Sequence, residues 1–289
     1  MLRYAVLLFV AIAFIHLVWP MPAAHAQATP PASPQATRPV SQCQAIAERL
    51  PKVQFAAFRT DAAGPRAVAG EAGAVTITYL GHSAFNIVSP EGVSIVTDYN
   101  GWYKPAETPD IVTMNKAHST HYTLSPDPAI AHVLHGWRDD GEPADHDLVL
   151  RDAYVRNVVT DIRLGWGGDA MEKNGNSIFI FEIAGLCIGH LGHLHQELTE
   201  VHYAEIGRLD VVMVPVDGGL TLGPDSMSRV VSRLRSSLIL PMHRRGPPID
   251  RFLSLFGSGF DARYADSDSV TVSLRSLPKK PLILILQGV

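Results

Sequence analysis

The sequence is short of cysteine, of charge and of any basic excess. Two cysteines in 289 residues exclude a disulfide-stapled mini-fold and a cysteine-rich zinc ribbon, which need more thiols at close spacing. Charged residues make up 18% of the chain against 46% hydrophobic, the wrong balance for a largely disordered protein. The formal net charge is −4. A general nucleic-acid binder needs a cationic face to neutralise phosphates, so that partner is not expected. Beyond the N-terminus no apolar run reaches the roughly 20 residues that span a bilayer, and no repeat of fixed period is visible. What the sequence has in quantity is histidine. Thirteen of them leave a metal site built on imidazole open.

The N-terminus reads Met1-Leu2-Arg3, then an apolar run over 4–19, then Ala24-His25-Ala26. One positive charge, a hydrophobic stretch and a small-x-small end predict a secretory signal peptide cut after Ala26. Pro20 and Pro22 interrupt the run before it reaches the length of a membrane span. The expectation is an exported protein, in a periplasm or outside the cell, with no membrane association after cleavage. Residues 27–42 (QATPPASPQATRP and the residues after it) have the composition of a disordered tether, and 43–289 are expected to form a single folded domain opening on a short helical pattern at 43–50. An oxidising compartment permits a bond between Cys43 and Cys187, a pairing the sequence leaves open.

Periodicity predicts strands at 75–80, 84–88, 93–97 and 110–114, an acidic surface loop at 139–147, and strands at 177–183 and 186–190. A helix over 199–206 with Thr199 as its cap, a buried strand at 210–216 and an amphipathic helix at 224–234 follow. Strands at 237–240, 269–274 and 281–286 close the chain. Strands first, then strands mixed with helices, predict an α/β (α+β) layered domain.

Three histidine groups each follow a predicted strand: Lys116-Ala117-His118-Ser119-Thr120-His121, His190-Leu191-Gly192-His193-Leu194-His195, and His243. Loops leaving strand ends can converge on one rim of a sheet. Imidazole suits zinc and neighbouring transition metals, which take three or four donors. A lone loop histidine is usually just hydrogen-bonded or solvated, and His132, His135, His146 and His202 are read that way.

The segments Thr78-Tyr79-Leu80-Gly81-His82-Ser83-Ala84-Phe85, His118-Ser119-Thr120-His121 and His190-Leu191-Gly192-His193-Leu194 resemble the metallo-β-lactamase superfamily. So do Val214-Pro215-Val216-Asp217-Gly218-Gly219 and Leu240-Pro241-Met242-His243, and the branch most similar is the ascorbate-phosphate-lactonase-like hydrolases. The resemblance covers about 75–243. It implies an αββα sandwich with a metal site at one edge of the two sheets.

The departures are specific. Where the family's signature loop reads H-x-H-x-D-H, this chain has Lys116, His118, Thr120 and His121. The family's bridging aspartate falls on His193 and its late histidine on His243, while residues 158–168 offer no histidine for a further ligand. A pair of metals needs a bridging group to hold the ions about 3.5–4 Å apart, and neutral imidazole has one acceptor nitrogen. Lys116 would also repel a cation beside it. The expectation is therefore one ion, zinc or a similar metal, held by His118, His121, His193 and His243 in some combination. His82 and His195 stand as extra or outer ligands, and Asp217 as the group orienting an imidazole. Three ligands leave room for water, whose pKa such an ion can lower to about 7. Four would close the site. Lys116 steadies an oxyanion or forms a salt bridge, and Thr120 cannot act as a general base.

Other signals are weak. Gly165-Trp166-Gly167-Gly168 and Gly218-Gly219 lack a phosphate-loop pattern and read as turns beside the pocket. Trp102, Tyr103 and Trp166 read as core before substrate wall. Ser83 is outside any G-x-S-x-G elbow, and Arg244-Arg245 read as surface unless they attract an anion. The expected function is an exported, mononuclear metal-dependent hydrolase acting on a small-molecule ester, lactone, amide or phosphoester. The rivals are a non-catalytic descendant that binds a metal or ligand, and a metal-trafficking protein.

Overall fold

In the computed structural model, which describes residues 40–44, 73–165, 170–246 and 248–289, strand alternation sets up the first sheet. β1 (Val75–Gly81) buries Val75, Ile77 and Tyr79 and leaves Thr76 and Thr78 half-exposed, the period-two pattern of a strand with one face on a core. With β2 (Ala84–Val88), β3 (Ser94–Val96), β4 (Ile111–Met114), β5 (His132–His135) and, from the far end of the chain, β13 (Ser269–Val272), it forms a six-stranded sheet ordered β13-β1-β2-β3-β4-β5.

The second sheet takes β6 (Asp147–Leu150), β7 (Ala153–Arg163), β8 (Met171–Ile183), β9 (Leu186–His190), β10 (Val211–Pro215), β11 (Leu238–Met242), β12 (Asp261–Tyr264) and β14 (Leu282–Ile285), ordered β12-β14-β11-β10-β9-β8-β7-β6. Its centre is parallel: β10 pairs β9 on one side and β11 on the other. All five residues of β10 are buried, as expected of a parallel strand covered on both faces.

The sheets pack face to face over Ile77, Phe85 and Ile95 from the first and Phe181, Ile188, Met213 and Leu240 from the second. On the outer face of the second sheet lie α1 (Glu200–Ile206), α2 (Pro224–Leu234) and α3 (Ile249–Leu253), contributing Ile206, Met227, Val230, Val231 and Phe252. Among the described residues the outer face of the first sheet is closed by loop residues, with Tyr99 and Ile130 over Val96, Val112 and Met114. The layered α/β sandwich is thus the one expected.

α1 starts on a capping box in which Thr199 Oγ1 accepts from the His202 N–H and His202 Nδ1 accepts from the Thr199 N–H. α2 starts with Pro224, whose missing N–H costs nothing in a first turn. β2, β9 and α2 have the expected bounds. β5, β6, β7, β12 and α3 were not anticipated, and β8 begins at Met171 rather than at 177. The acidic loop runs from 139 until β6 begins at Asp147.

The chain divides into two units, Met1–Arg38 and Pro39–Val289, and every described residue lies in the second. The expected leader (1–26), residues 27–39 of the expected tether, residues 45–50 of the expected helix and Trp166 lie outside the described residues. Cys43 and Cys187 form a disulfide with a Cα–Cα distance of 5.9 Å. Beside it, the buried Glu182 carboxylate accepts from Ser41 Oγ and the Gln42 N–H and pairs with Arg156 Nε at 3.0 Å. The Arg156 guanidinium also donates to the carbonyls of Glu205 and Ile206 at the end of α1. Among the described residues no helix is long and apolar enough to cross a membrane.

Candidate metal centre

Parallel strands place their C-terminal ends on one edge, and the loops leaving those ends build sites there. Asp98 follows β3, His118 and His121 follow β4, His193 and His195 follow β9, Asp217 follows β10 and His243 follows β11. His82 sits in the turn joining β1 to β2. His82, Asp98 and His243 have φ of 54°, 44° and 52°, left-handed values that non-glycine residues rarely adopt and that concentrate at functional sites. The His243 N–H donates to the His82 carbonyl at 2.6 Å, and the Tyr79 hydroxyl donates to the same oxygen at 3.0 Å. Two sheets are stitched together where the imidazoles meet.

His82, His118, His121 and His243 each bring one ring nitrogen within 4.8 Å of the others. His193 stands beside them, its ring 5.1 Å from His118 and 4.8 Å from both His121 and His243 between centroids. The far nitrogens are anchored. His121 Nδ1 lies 2.6 Å from Asp98 Oδ2, with Ser83 Oγ 3.1 Å away. His243 Nδ1 lies 2.9 Å from Asp217 Oδ2. His118 Nδ1 bonds Thr120 Oγ1 at 2.7 Å. The Asp98 carboxylate hydrogen-bonded at His121 Nδ1 puts the proton there and turns Nε2 into a lone pair, and the Asp217 carboxylate beside His243 Nδ1 favours the same form. Nε2 of His82 and of His121 is buried without a hydrogen-bond partner, while those of His118 and His243 face each other at 3.4 Å. Buried polar atoms left without partners need an explanation. A cation among four imidazoles supplies one, so the donor set fits a transition metal.

Burial, reinforced by the neighbouring rings, pushes the pKa of His82 down to about 3 and that of His118 to about 4. His121 and His193 are lowered for the same first reason, with Asp98 opposing the shift at His121. Neutral rings are the state that binds metal. Burial would lift the acids, but other contacts win. His121 and His190 hold Asp98 well below the usual carboxylate range, helped by hydrogen bonds from His121 and Asn115. The His243 contact and the Thr221 and Gly219 N–H groups bring Asp217 to about 2. Asp217 is therefore an anion behind an imidazole.

A cavity of about 210 Å³ opens onto the rings, walled by His82, His118, His193, His195 and His243, with Arg163, Gly219 and Arg245. Among the described residues no Asp or Glu lines it. Lys116, expected near the metal or in a salt bridge, takes the second course: its Nζ lies 2.5 Å from Glu172 Oε1, both side chains about one-third exposed. Trp102 is exposed, and neither it nor Tyr103 lines the cavity. His190 serves the frame, its Nε2 donating to the Ser83 carbonyl at 2.8 Å and its Nδ1 accepting from the Gly192 N–H.

Sequence reasoning passed over Asp98 and two buried amides. Asn115 Nδ2 donates to Asp98 Oδ1 at 3.0 Å, and its Oδ1 accepts from the Ser177 N–H. Asn176 Oδ1 accepts from the His193 N–H at 2.8 Å. The available signal was an ionisable residue directly after the buried strand β3, in Thr97-Asp98-Tyr99-Asn100.

A family model described as a β-lactamase superfamily domain matches residues 76–243. A metal-dependent hydrolase from Polaromonas sp. is 26% identical over 251 residues, covering 72% of this chain and 88% of the relative. A metal-dependent hydrolase from Methanoculleus marisnigri is 23% identical over 185 residues, 58% of this chain and 80% of the relative. Among solved structures, a Thermotoga maritima protein described as a candidate Zn-dependent hydrolase of the metallo-β-lactamase superfamily superposes with a TM-score of 0.50 at 26% identity, covering 73% of this chain and 98% of its own.

Proposed function

Since the chain belongs to the metallo-β-lactamase superfamily, we propose that it is a metal-dependent hydrolase whose centre is a single ion among His82, His118, His121 and His243. The observation that carries this reading is the set of ring nitrogens within 4.8 Å of one another, with carboxylates behind two of the rings. Relatives described as metal-dependent hydrolases support it. The lining supports one ion rather than two, because among its described residues no carboxylate stands that would bridge a pair. Zinc is the metal we expect for an all-imidazole set.

Such an ion supplies Lewis-acid polarisation of a carbonyl or phosphoryl oxygen and activation of water. The chain's own residues do the rest. Asp98 and Asp217 fix two rings in one tautomer, and Asn115 fixes Asp98 in turn. The cavity's volume suits a small molecule with an ester, lactone, amide or phosphoester bond. Arg163 and Arg245 on its wall favour a substrate with an anionic group. Neither nucleic acid nor a membrane enters this reading. Export is part of it, supported by the signal-like N-terminus and by the Cys43–Cys187 disulfide, which oxidising compartments preserve.

Metal analysis of purified protein tests the proposal: about one equivalent is expected, lost in His121→Ala. A hydrolysis panel of esters, lactones, lactams and phosphodiesters then separates an enzyme from a binding protein. That no carboxylate base stands among the described residues of the cavity wall favours the non-catalytic reading, and turnover that depends on the bound metal would exclude it. Protein that takes up no metal would remove the hydrolase reading and leave a ligand-binding descendant.

A further inference from the structure

One ring in the cluster is held the opposite way round from the others. A backbone N–H can only donate, and that of Arg163 lies 2.5 Å from His195 Nδ1. His195 Nδ1 is therefore a lone pair, and a neutral His195 carries its proton on Nε2. That Nε2 is 2.7 Å from His193 Nδ1, so it donates there and makes His193 Nδ1 an acceptor. The single proton of neutral His193 is left on Nε2. His121 and His243 have carboxylates at Nδ1 and so carry their protons there, on the opposite nitrogen from His193. His193 Nε2 is buried and has no hydrogen-bond partner, its ring lines the cavity, and it lies outside the group of four convergent nitrogens.

We infer that His193 is not a metal ligand but a fixed N–H donor for an oxygen of the bound substrate, and that His195 is the positioning residue that imposes its tautomer. This rests on the metal-dependent hydrolase reading. In hydrolysis the oxygen of the scissile carbonyl or phosphoryl group gains negative charge, and a pre-oriented donor in a water-poor site stabilises that charge. Loss of one such donor typically costs about 10²–10³ in kcat. The chain Arg163 N–H to His195 to His193 supplies the orientation without any carboxylate. It also explains how a histidine at the family's bridging-aspartate position coexists with four other imidazoles: its Nε2 carries a hydrogen, not a lone pair, and stays outside the four convergent nitrogens.

The direct test is a long-range ¹H–¹⁵N correlation spectrum of the full chain labelled at histidine and stripped of metal. His193 should show the Nε2–H form while His121 and His243 show the Nδ1–H form; an Nδ1–H form at His193 overturns the inference. In His195→Ala the His193 signal should move toward the Nδ1–H form, and an unmoved signal removes His195 from its positioning role. Second, Co²⁺ is titrated into His193→Gln and His82→Ala. His193→Gln should bind Co²⁺ with unchanged stoichiometry and a d–d spectrum like that of the parent, and His82→Ala should alter or lose that spectrum. Loss of Co²⁺ in a folded His193→Gln makes His193 a ligand and overturns the assignment. If the parent protein itself takes up no metal, the hydrolase reading fails, whereas the tautomer measurement stands apart from it.

Discussion

The carboxylate of Asp98 meets Nδ1 of His121 at 2.6 Å with both side chains fully buried. Nothing else in the site so directly links the first sheet's strand ends to metal binding. Asp98→Asn preserves the shape but weakens the acceptor, and an amide can present its NH2 instead. Outer-shell partners of this kind typically contribute about 10–100-fold in metal affinity. The expected outcome is a fall of that size in chelator competition, with an unchanged circular dichroism spectrum. Unchanged affinity would show that the pair serves only packing.

His121→Ala removes a nitrogen that has no hydrogen-bond partner of its own. In the parent protein, saturating metal at about 100 times its Kd contributes roughly 2.7 kcal/mol to stability. For a domain of this size that corresponds to a rise in Tm of about 5–10 °C. The variant should show no such rise in a melt with and without metal. A full rise in His121→Ala would place the ion elsewhere.

The sequence made the strand-end histidines legible because each follows an apolar run that can only be a buried strand: Ile111–Met114, Leu186–His190 and Leu238–Met242. Periodicity is strong there, and bounds fell within a residue or two. It failed at β7 and the first half of β8, where Asn157, Thr160, Asn174 and Asn176 interrupt the apolar pattern. Those polar residues are explained only by partners far along the chain: Asn157 reaches the Ala144 carbonyl and Ser177, and Asn176 reaches Thr160. The ligand set shows the same limit. Spacing could bring out His118 and His121, but the roles of His82 and His193 depend on which ring nitrogen each neighbour occupies. No one-dimensional pattern carries that information.

Lys116 and Glu172 form a half-exposed ion pair, a class that contributes at most about 1 kcal/mol. Lys116→Ala should therefore lower stability by less than that in urea titration and leave metal stoichiometry unchanged. A Lys116→Ala/Glu172→Gln double-mutant cycle measures the coupling. A large loss of turnover in Lys116→Ala with metal still bound would return this residue to the reaction and contradict the position the structure gives it.

The Cys43–Cys187 bond closes a separation of 144 residues and ties the segment bearing Ser41 and Gln42 to the buried Glu182–Arg156 pair. Cross-links of this kind commonly contribute about 2–5 kcal/mol. Reduction, or the Cys43→Ser/Cys187→Ser double variant, should move the urea midpoint down accordingly. None of Ser41, Gln42, Cys43 and Cys187 lines the cavity, so metal stoichiometry should persist in the reduced protein under native conditions. Equal midpoints in oxidised and reduced protein would mean that the strap's hydrogen bonds hold it without the covalent link.

Gly192 turns the chain between His190 and His193 with φ of +60°. A methyl there would lie 2.5 Å from Asn115 Nδ2, 2.6 Å from Asn176 Oδ1 and 3.0 Å from the Ser177 carbonyl. The first two atoms hold Asp98 and the His193 backbone, so the clash falls on both sides of the site at once. Backbone strain and overpacking together give Gly192→Ala an expected cost of about 2–4 kcal/mol, with weaker metal binding in the same variant. Gly257 meets nothing within 4 Å and lacks a positive φ, so Gly257→Ala is the control and should stay within about 0.5 kcal/mol of the parent. If Gly192→Ala melts like that control and binds metal as the parent does, the amides do not grip this turn as tightly as their distances require.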